Sequence, residues 1–219
     1  MEILLEISEA LQRGLVKTVS ARIQAALEVG ISPEDILNNG LLAGMAVIGG
    51  KFRLNEVYVP DVLIAARALH AGLSLLKPFL AESGVQPVGK VIIGTVKGDL
   101  HDIGKNLVGM MMTGAGLEVI DLGVDVPEEK FIAAVQEHHP DVLCLSALLT
   151  TTMSQQKVVI RALEAAGLRD KVRVMVGGAP VTHAFAREIG ADAYTPDAAT
   201  AAEAARQFVM TAVGSRWTR

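Results

Sequence analysis

Val91-Ile92-Ile93-Gly94-Thr95-Val96-Lys97-Gly98-Asp99-Leu100-His101-Asp102-Ile103-Gly104 is the stretch that decides the fold. An apolar run too short for a helix ends in a glycine-punctuated polar loop, and a helical period begins at Ile103. A strand without polar alternation is buried on both faces, which is the mark of a parallel sheet covered by helices. The same unit recurs downstream. Apolar runs at Leu117 to Leu122, Val142 to Leu145, Val172 to Val176 and Ala191 to Tyr194 alternate with helical stretches. Those stretches are Ile103 to Thr113, Pro127 to His138, Met153 to Ala166, Val181 to Ile189 and Ala198 to Val213. Successive βα units predict an open, doubly wound parallel sheet whose ligands sit at the carboxyl ends of the strands, at the switch point beside the first strand.

Ahead of this flavodoxin-like, Rossmann-type α/β domain of five strands, the period is helical throughout. Ile3, Ile7 and Leu11 precede Gly14, and Leu15, Val19, Ile23 and Leu27 precede Gly30. Ser32-Pro33-Glu34 supplies an N-cap, a first-turn proline and an acid for a third helix that runs to about Gly49-Gly50. Pro60 opens a fourth, with Val62, Leu63, Ala66, Leu69, Leu73 and Leu76 on one face. Short connections predict a four-helix bundle. The turn formers after Ala81 mark a linker, so the expected organisation is a helical cap over 1–82, a linker over 83–89 and an α/β domain over 90–219.

The chain has 219 residues and is 51% hydrophobic, yet only 4% aromatic, a profile that excludes disorder and a disulfide scaffold. Net charge is −4, with the basic residues dispersed, which argues against nucleic acid as a partner. The longest uninterrupted apolar stretches, such as Leu41 to Gly50, are about half of a membrane span, so no membrane segment is expected. Met1 to Glu6 shows no secretory signal, and the single Cys144 lies in an apolar run; a cytoplasmic location is expected. Met45 and Met110-Met111-Met112 read as core packing, and His138-His139 as a helix end. Trp217, in the basic Ser215 to Arg219, reads as a frayed tail or a partner contact.

Three loops at strand ends carry the chemistry. After the first strand, His101 follows Asp99 by two residues, a spacing that lets the carboxylate hold one ring nitrogen and leave the other free as a metal ligand. The alternative is that Asp99 or Asp102 caps the next helix and His101 is merely solvated. After the third strand, Ser146, Thr150, Thr151 and Thr152 supply more hydroxyls than one helix cap uses. After the fourth, Gly177-Gly178-Ala179 lets a ligand approach the backbone, or simply makes a tight turn.

Taken together, Asp-x-His-x-x-Gly, 41 residues, Ser-x-Leu, 28 residues and Gly-Gly resemble the fingerprint of cobalamin-binding domains, over about Lys90 to Phe208. The resemblance implies a corrinoid cofactor whose own base is displaced from cobalt by His101, with Asp99 behind it. It also implies that Thr152 closes a relay from Asp99, at a position where methionine synthases are expected to have serine. Gly104 completes the first motif, Ser146, Leu148 and Thr150 line the channel for the nucleotide tail, and Gly177, Gly178 and Ala179 flank its end. Small residues around Gly94, Ser146 and Gly177-Gly178 are expected to leave space for the cofactor.

The stretch Gly50-Lys51-Phe52-Arg53 and Tyr58-Val59-Pro60-Asp61-Val62 resembles the cap of methyl-carrying corrinoid proteins, which implies that Phe52, Val59 and Val62 sit above cobalt. The alternative for all three is ordinary bundle core. The chain thus resembles the small corrinoid subunit of three-component methyltransferase systems. Such a subunit moves a methyl group from methanol, a methylamine, a betaine or an aryl methyl ether to a folate or thiol. It is a carrier served by a substrate-specific methyltransferase, an acceptor methyltransferase and a reductive activation protein, with no complete active site of its own. A mutase subunit, a cobalamin-sensing regulator and a flavodoxin-like module without corrinoid are the alternatives. The regulator would carry a DNA-binding segment ahead of the bundle.

Overall fold

The computed structural model describes residues 2–216, with side chains as far as Thr211, so Trp217 and the end of the basic tail lie outside the described residues. The chain divides into two compact units. One comprises the residues up to Pro87 together with Gly114–Gly116; the other comprises Val88–Thr113 and the residues from Leu117 onwards.

The first unit is helical. It contains α1 (Glu2–Gln12), α2 (Val16–Glu28), α3 (Pro33–Asp35), a π-helical segment Ile36–Leu42, α4 (Ala43–Arg53) and α5 (Val59–Glu82). The Ser32 hydroxyl accepts the Asp35 N–H at 3.0 Å, with Pro33 in the first turn, as the sequence implies. The third helix then differs from expectation. Its middle is π-helical, and the wide turn puts Ile36, Gly40 and Leu41 on the buried side before the chain continues in α-form to Arg53.

Helix α5 begins at Val59, where the Tyr58 N–H donates to Asp61 Oδ2 at 2.8 Å. Its buried stripe is Val62, Ala65, Ala66, Ala68, Leu69, Gly72 and Leu76, whereas Leu63 is exposed and Leu73 half-buried. The small residues win the inner face because the packing is close. A Cβ on Gly72 would lie 2.8 Å from Leu41 Cδ2. At 24 residues, α5 is long and apolar enough by length and composition to cross a membrane, contrary to the expectation of no such segment from uninterrupted apolar runs. It carries Arg67 and Lys77 and packs its stripe against α1, α2 and α4, the behaviour of a core helix.

The second unit is a five-stranded parallel sheet in the order β2-β1-β3-β4-β5, with β1 (Lys90–Thr95), β2 (Glu118–Asp121), β3 (Val142–Ser146), β4 (Arg173–Gly177) and β5 (Ala193–Tyr194). The helices between strands are α6 (Ile103–Gly114), α7 (Glu128–His138), α8 (Ser154–Ala165) and α9 (His183–Glu188), with α10 (Ala198–Arg216) last. Ile92, Leu143, Leu145, Val174 and Val176 point to one face, where Phe131 of α7, Ile160 and Leu163 of α8 and Ala186 of α9 cover them. Alternation sends Ile93, Cys144 and Met175 to the other face, where α10 packs on β3. Burial pushes the Cys144 thiol up to about 12. Met45, Met111 and Met112 are buried as expected, and His139 ends α7 in the left-handed region.

Register decides where the site lies. Thr95, Ser146 and Gly177 are paired across β1, β3 and β4, so three small residues form one row at the carboxyl ends of the central strands. The order reverses between β1 and β3, directly beneath the His101 loop.

Candidate functional site

Strand β1 runs into a turn in which the Asp99 N–H bonds the Val96 carbonyl at 3.2 Å and Gly98 adopts φ +80°. A β-turn of this kind requires a left-handed residue at its third position, and glycine supplies it without strain. The turn drives the Asp99 side chain inward until it is fully buried. There Oδ1 accepts the His101 N–H at 3.1 Å and faces His101 Nδ1 at 2.7 Å. Oδ2 accepts the Thr152 hydroxyl at 2.6 Å and the Leu148 N–H at 2.7 Å, with the Leu149 N–H at 3.4 Å.

Burial alone would push the Asp99 carboxyl up, but the hydrogen bonds from Thr152, the His101 ring, Leu148 and the His101 main chain together outweigh it. They hold the carboxyl well below the usual carboxylate range. An ionised carboxylate only accepts, so the proton between the two side chains sits on Nδ1 and the lone pair is left on Nε2. The His101 side chain is 51% exposed, and Nε2 has no partner among the described residues.

In this arrangement the Asp99 carboxylate takes no part in capping α6. The Asp99 carboxylate is taken up by His101, Thr152 and Leu148, while Asp102 Oδ2 accepts the Asn106 side-chain amide at 3.0 Å. Of the four hydroxyls in the β3 loop, Thr152 is the one that reaches Asp99; Ser146 is half-buried, and Leu148 and Thr150 are exposed. None of them caps α8, which starts behind Met153 without a side-chain cap.

The glycines have separate roles. A Cβ on Gly178, at φ +128°, would lie 1.7 Å from the Ala147 carbonyl oxygen, so this residue lets the β3 and β4 loops touch. A Cβ on Gly177 would meet nothing nearer than the Thr195 carbonyl at 3.9 Å, and Gly104 borders open space. Gly94 corrects the expectation from the sequence: a Cβ there would lie 2.7 Å from Phe131, so the space beside it is filled by protein, not kept for a cofactor. Ala179 is exposed beside the pair. Phe52, Val59 and Val62 belong to the helical unit, Val62 buried and the other two half-buried.

Thr95 and Gln156 also shape the site, without a specific sequence signal. The Thr95 hydroxyl donates to the His101 carbonyl at 2.9 Å and so fixes the loop main chain. Gln156, fully buried on α8, donates from Nε2 to the Leu145 and Gly177 carbonyls at 3.0 Å each, bridging β3 and β4 at their carboxyl ends, while Oε1 has no partner. A hydroxyl at a strand end and a glutamine in an amphipathic helix were the available signals, and neither is specific.

What the site offers a metal is one imidazole, oriented by a buried anion; among the described residues no three His, Cys, Asp or Glu side chains cluster to hold an ion. A single exposed Nε2 suits a metal whose other ligands come from a macrocycle, and the half-buried Ser146 and Gly177 at the strand ends suit a tail beside it. These residues fit a corrinoid.

Comparison with known proteins agrees. The B12 binding domain profile matches residues 89–206, and a second B12 binding domain profile matches residues 3–77. A corrinoid protein of Desulfitobacterium hafniense is 41% identical over 95% of this chain and 98% of its own length. The dimethylamine corrinoid protein of Methanosarcina barkeri is 42% identical, again over 95% and 98%. Among solved structures, the methanol:cobalamin methyltransferase complex of Methanosarcina barkeri aligns with TM-score 0.87 at 33% identity, covering 95% of this chain and 80% of that one. A cobalamin-binding protein of Desulfitobacterium hafniense aligns with TM-score 0.77 at 28% identity, over 94% and 98%. The exposed, carboxylate-held imidazole thus sits within a chain that belongs, over both its helical and its α/β units, to the B12-binding corrinoid proteins.

Proposed function

We propose that His101 Nε2 would hold the cobalt of this protein's corrinoid, and that the protein carries a methyl group between two methyltransferases, one specific for the donor and one for the acceptor. The observation that carries this reading is the His101–Asp99 pair, with Nδ1 held at 2.7 Å and Nε2 free. When bound, the corrinoid would supply a nucleophilic cobalt for methyl-transfer chemistry, with the donor and acceptor groups supplied by the partner enzymes. Asp99 fixes the tautomer that leaves the Nε2 lone pair available, and the Thr152 hydroxyl and Leu148 N–H keep that carboxylate anionic. The Thr95 hydroxyl holds the loop main chain at the His101 carbonyl. Ser146, Leu148, Thr150, Gly177, Gly178 and Ala179 would flank the nucleotide tail.

The methyltransferase partners are supported by the relatives named for dimethylamine and for methanol:cobalamin methyl transfer. A reductive activation protein would restore cobalt that has become oxidised, and a cytoplasmic location fits a chain with one buried thiol. The test is reconstitution with cobalamin, followed by EPR of the Co(II) form. Nitrogen superhyperfine splitting that disappears in His101→Ala is expected. Loss of the corrinoid on gel filtration of the wild type, or splitting that persists in His101→Ala, would overturn the proposal. Methyl transfer from a panel of methylamines, methanol, betaines and aryl methyl ethers, with each candidate methyltransferase, identifies the donor.

A further inference from the structure

Asp99 is held from two directions. Its carboxylate is tied to the β3 loop, while its main chain is tied to the loop that follows β2. In that second loop the Asp125 N–H donates to the Asp99 carbonyl at 3.0 Å, and Asp125 Oδ1 accepts the Gly98 N–H at 2.7 Å. The same loop runs beside β1: Leu122 N–H bonds the Ile93 carbonyl, Thr95 N–H the Gly123 carbonyl, and Val126 N–H the Thr95 carbonyl. Its base is pinned by Asp121, whose Oδ1 accepts the Gly123 N–H at 2.8 Å and whose Oδ2 pairs with the buried Lys105 amine. That pair ties the loop to the first turn of α6, where Lys105 also donates to the neighbouring Asn106 Oδ1 at 2.8 Å.

Asp125 itself stands at φ +51°. A non-glycine residue there costs about 1 kcal/mol, although aspartate tolerates the region better than most. Glycine would meet the backbone requirement without strain, but it has no side chain for the Gly98 N–H.

We infer that Asp125 is a positioning residue for His101: by holding Gly98 and Asp99 in their turn, it sets where the Asp99 carboxylate stands and hence how the imidazole is oriented. The inference rests on the reading of His101 as the cobalt ligand, and it extends the control of that ligand to a loop outside the three cofactor-binding loops. Asp125 acts through main-chain groups and touches neither His101 nor any residue of the β3 loop by a side-chain bond.

Asp125→Gly and Asp125→Asn test it in the full-length protein. Glycine keeps the backbone conformation and removes the acceptor, whereas asparagine keeps an acceptor oxygen and the tolerance of φ > 0. In the cobalamin-loaded protein, Asp125→Gly is expected to retain corrinoid through gel filtration but to lose at least about half of the nitrogen-split Co(II) EPR signal. Asp125→Asn should keep it. In the cofactor-free protein, the His101 ring ¹⁵N resonances should shift in Asp125→Gly and return to wild-type positions in Asp125→Asn. Wild-type EPR and ring resonances in Asp125→Gly would overturn the inference, as would losses in Asp125→Asn equal to those in Asp125→Gly. If wild type itself lacks the nitrogen splitting, the ligand assignment falls, and the ring resonances still decide whether Asp125 orients His101.

Discussion

The Thr152 hydroxyl lies 2.6 Å from Asp99 Oδ2, closing a contact between residues 53 apart in the chain. The Leu149 carbonyl, at 3.1 Å, is its alternative acceptor, and the shorter approach goes to the anion. Thr152→Ala removes one donor from a buried carboxylate and is expected to destabilise the cofactor-free protein by about 1.5–3 kcal/mol in urea unfolding. Thr152→Ser keeps the hydroxyl and should recover most of the loss. Alanine and wild type unfolding together would show that the hydroxyl adds nothing.

Acid sensitivity follows from the same carboxylate. The folded-state pKa of Asp99 is depressed below its ordinary 3.8. Its stabilisation is therefore complete above the unfolded value and is lost as pH falls below about 4 toward the folded value. Comparing wild type with Asp99→Asn reads this carboxylate at the acid end, where the stability gap should shrink as pH falls from about 4 toward 3. A gap that widens on acidification would reverse the assigned sign.

Much of this site was legible locally. His101 and Asp99 are two residues apart on a strand-to-helix loop, and the double burial that makes β1, β3 and β4 continuous apolar runs also announces a parallel sheet. Thr152 was reached only through family resemblance, since nothing local links it to Asp99. Thr95, Asp125 and Gln156 bond main-chain groups, and such contacts impose no pattern on the sequence. Leu63 lies off the inner face of α5 for a related reason: a stripe of alanine and glycine packs closely but is only weakly apolar in sequence.

The adjacent glycines separate fold from ligand. Gly178→Ala would place a Cβ against the Ala147 carbonyl at a left-handed φ, and a loss beyond about 4 kcal/mol is expected. Gly177→Ala makes only an ordinary contact, with the Thr195 carbonyl at 3.9 Å, so unfolding of the cofactor-free protein should change by no more than about 1 kcal/mol. Its effect should appear in corrinoid retention instead, measured as bound cobalamin after gel filtration. Undiminished retention would remove Gly177 from the tail channel.

Gly94 tests the opposite assignment. It lies in the central strand, where a cofactor could have used the missing side chain, but Phe131 Cε1 and Cζ would stand 2.7 and 2.9 Å from an added Cβ. Phe131 is fully buried on the inner face of α7, packed in the core, so the ring has little freedom to withdraw. Gly94→Ala should cost the cofactor-free protein about 1–3 kcal/mol through overpacking. Phe131→Leu, combined with it, should recover part of that cost in a double-mutant cycle, because the two substitutions share one volume. Corrinoid retained per folded molecule should not change. If Gly94→Ala instead left unfolding alone and reduced retention, the space beside β1 would belong to the cofactor rather than to Phe131.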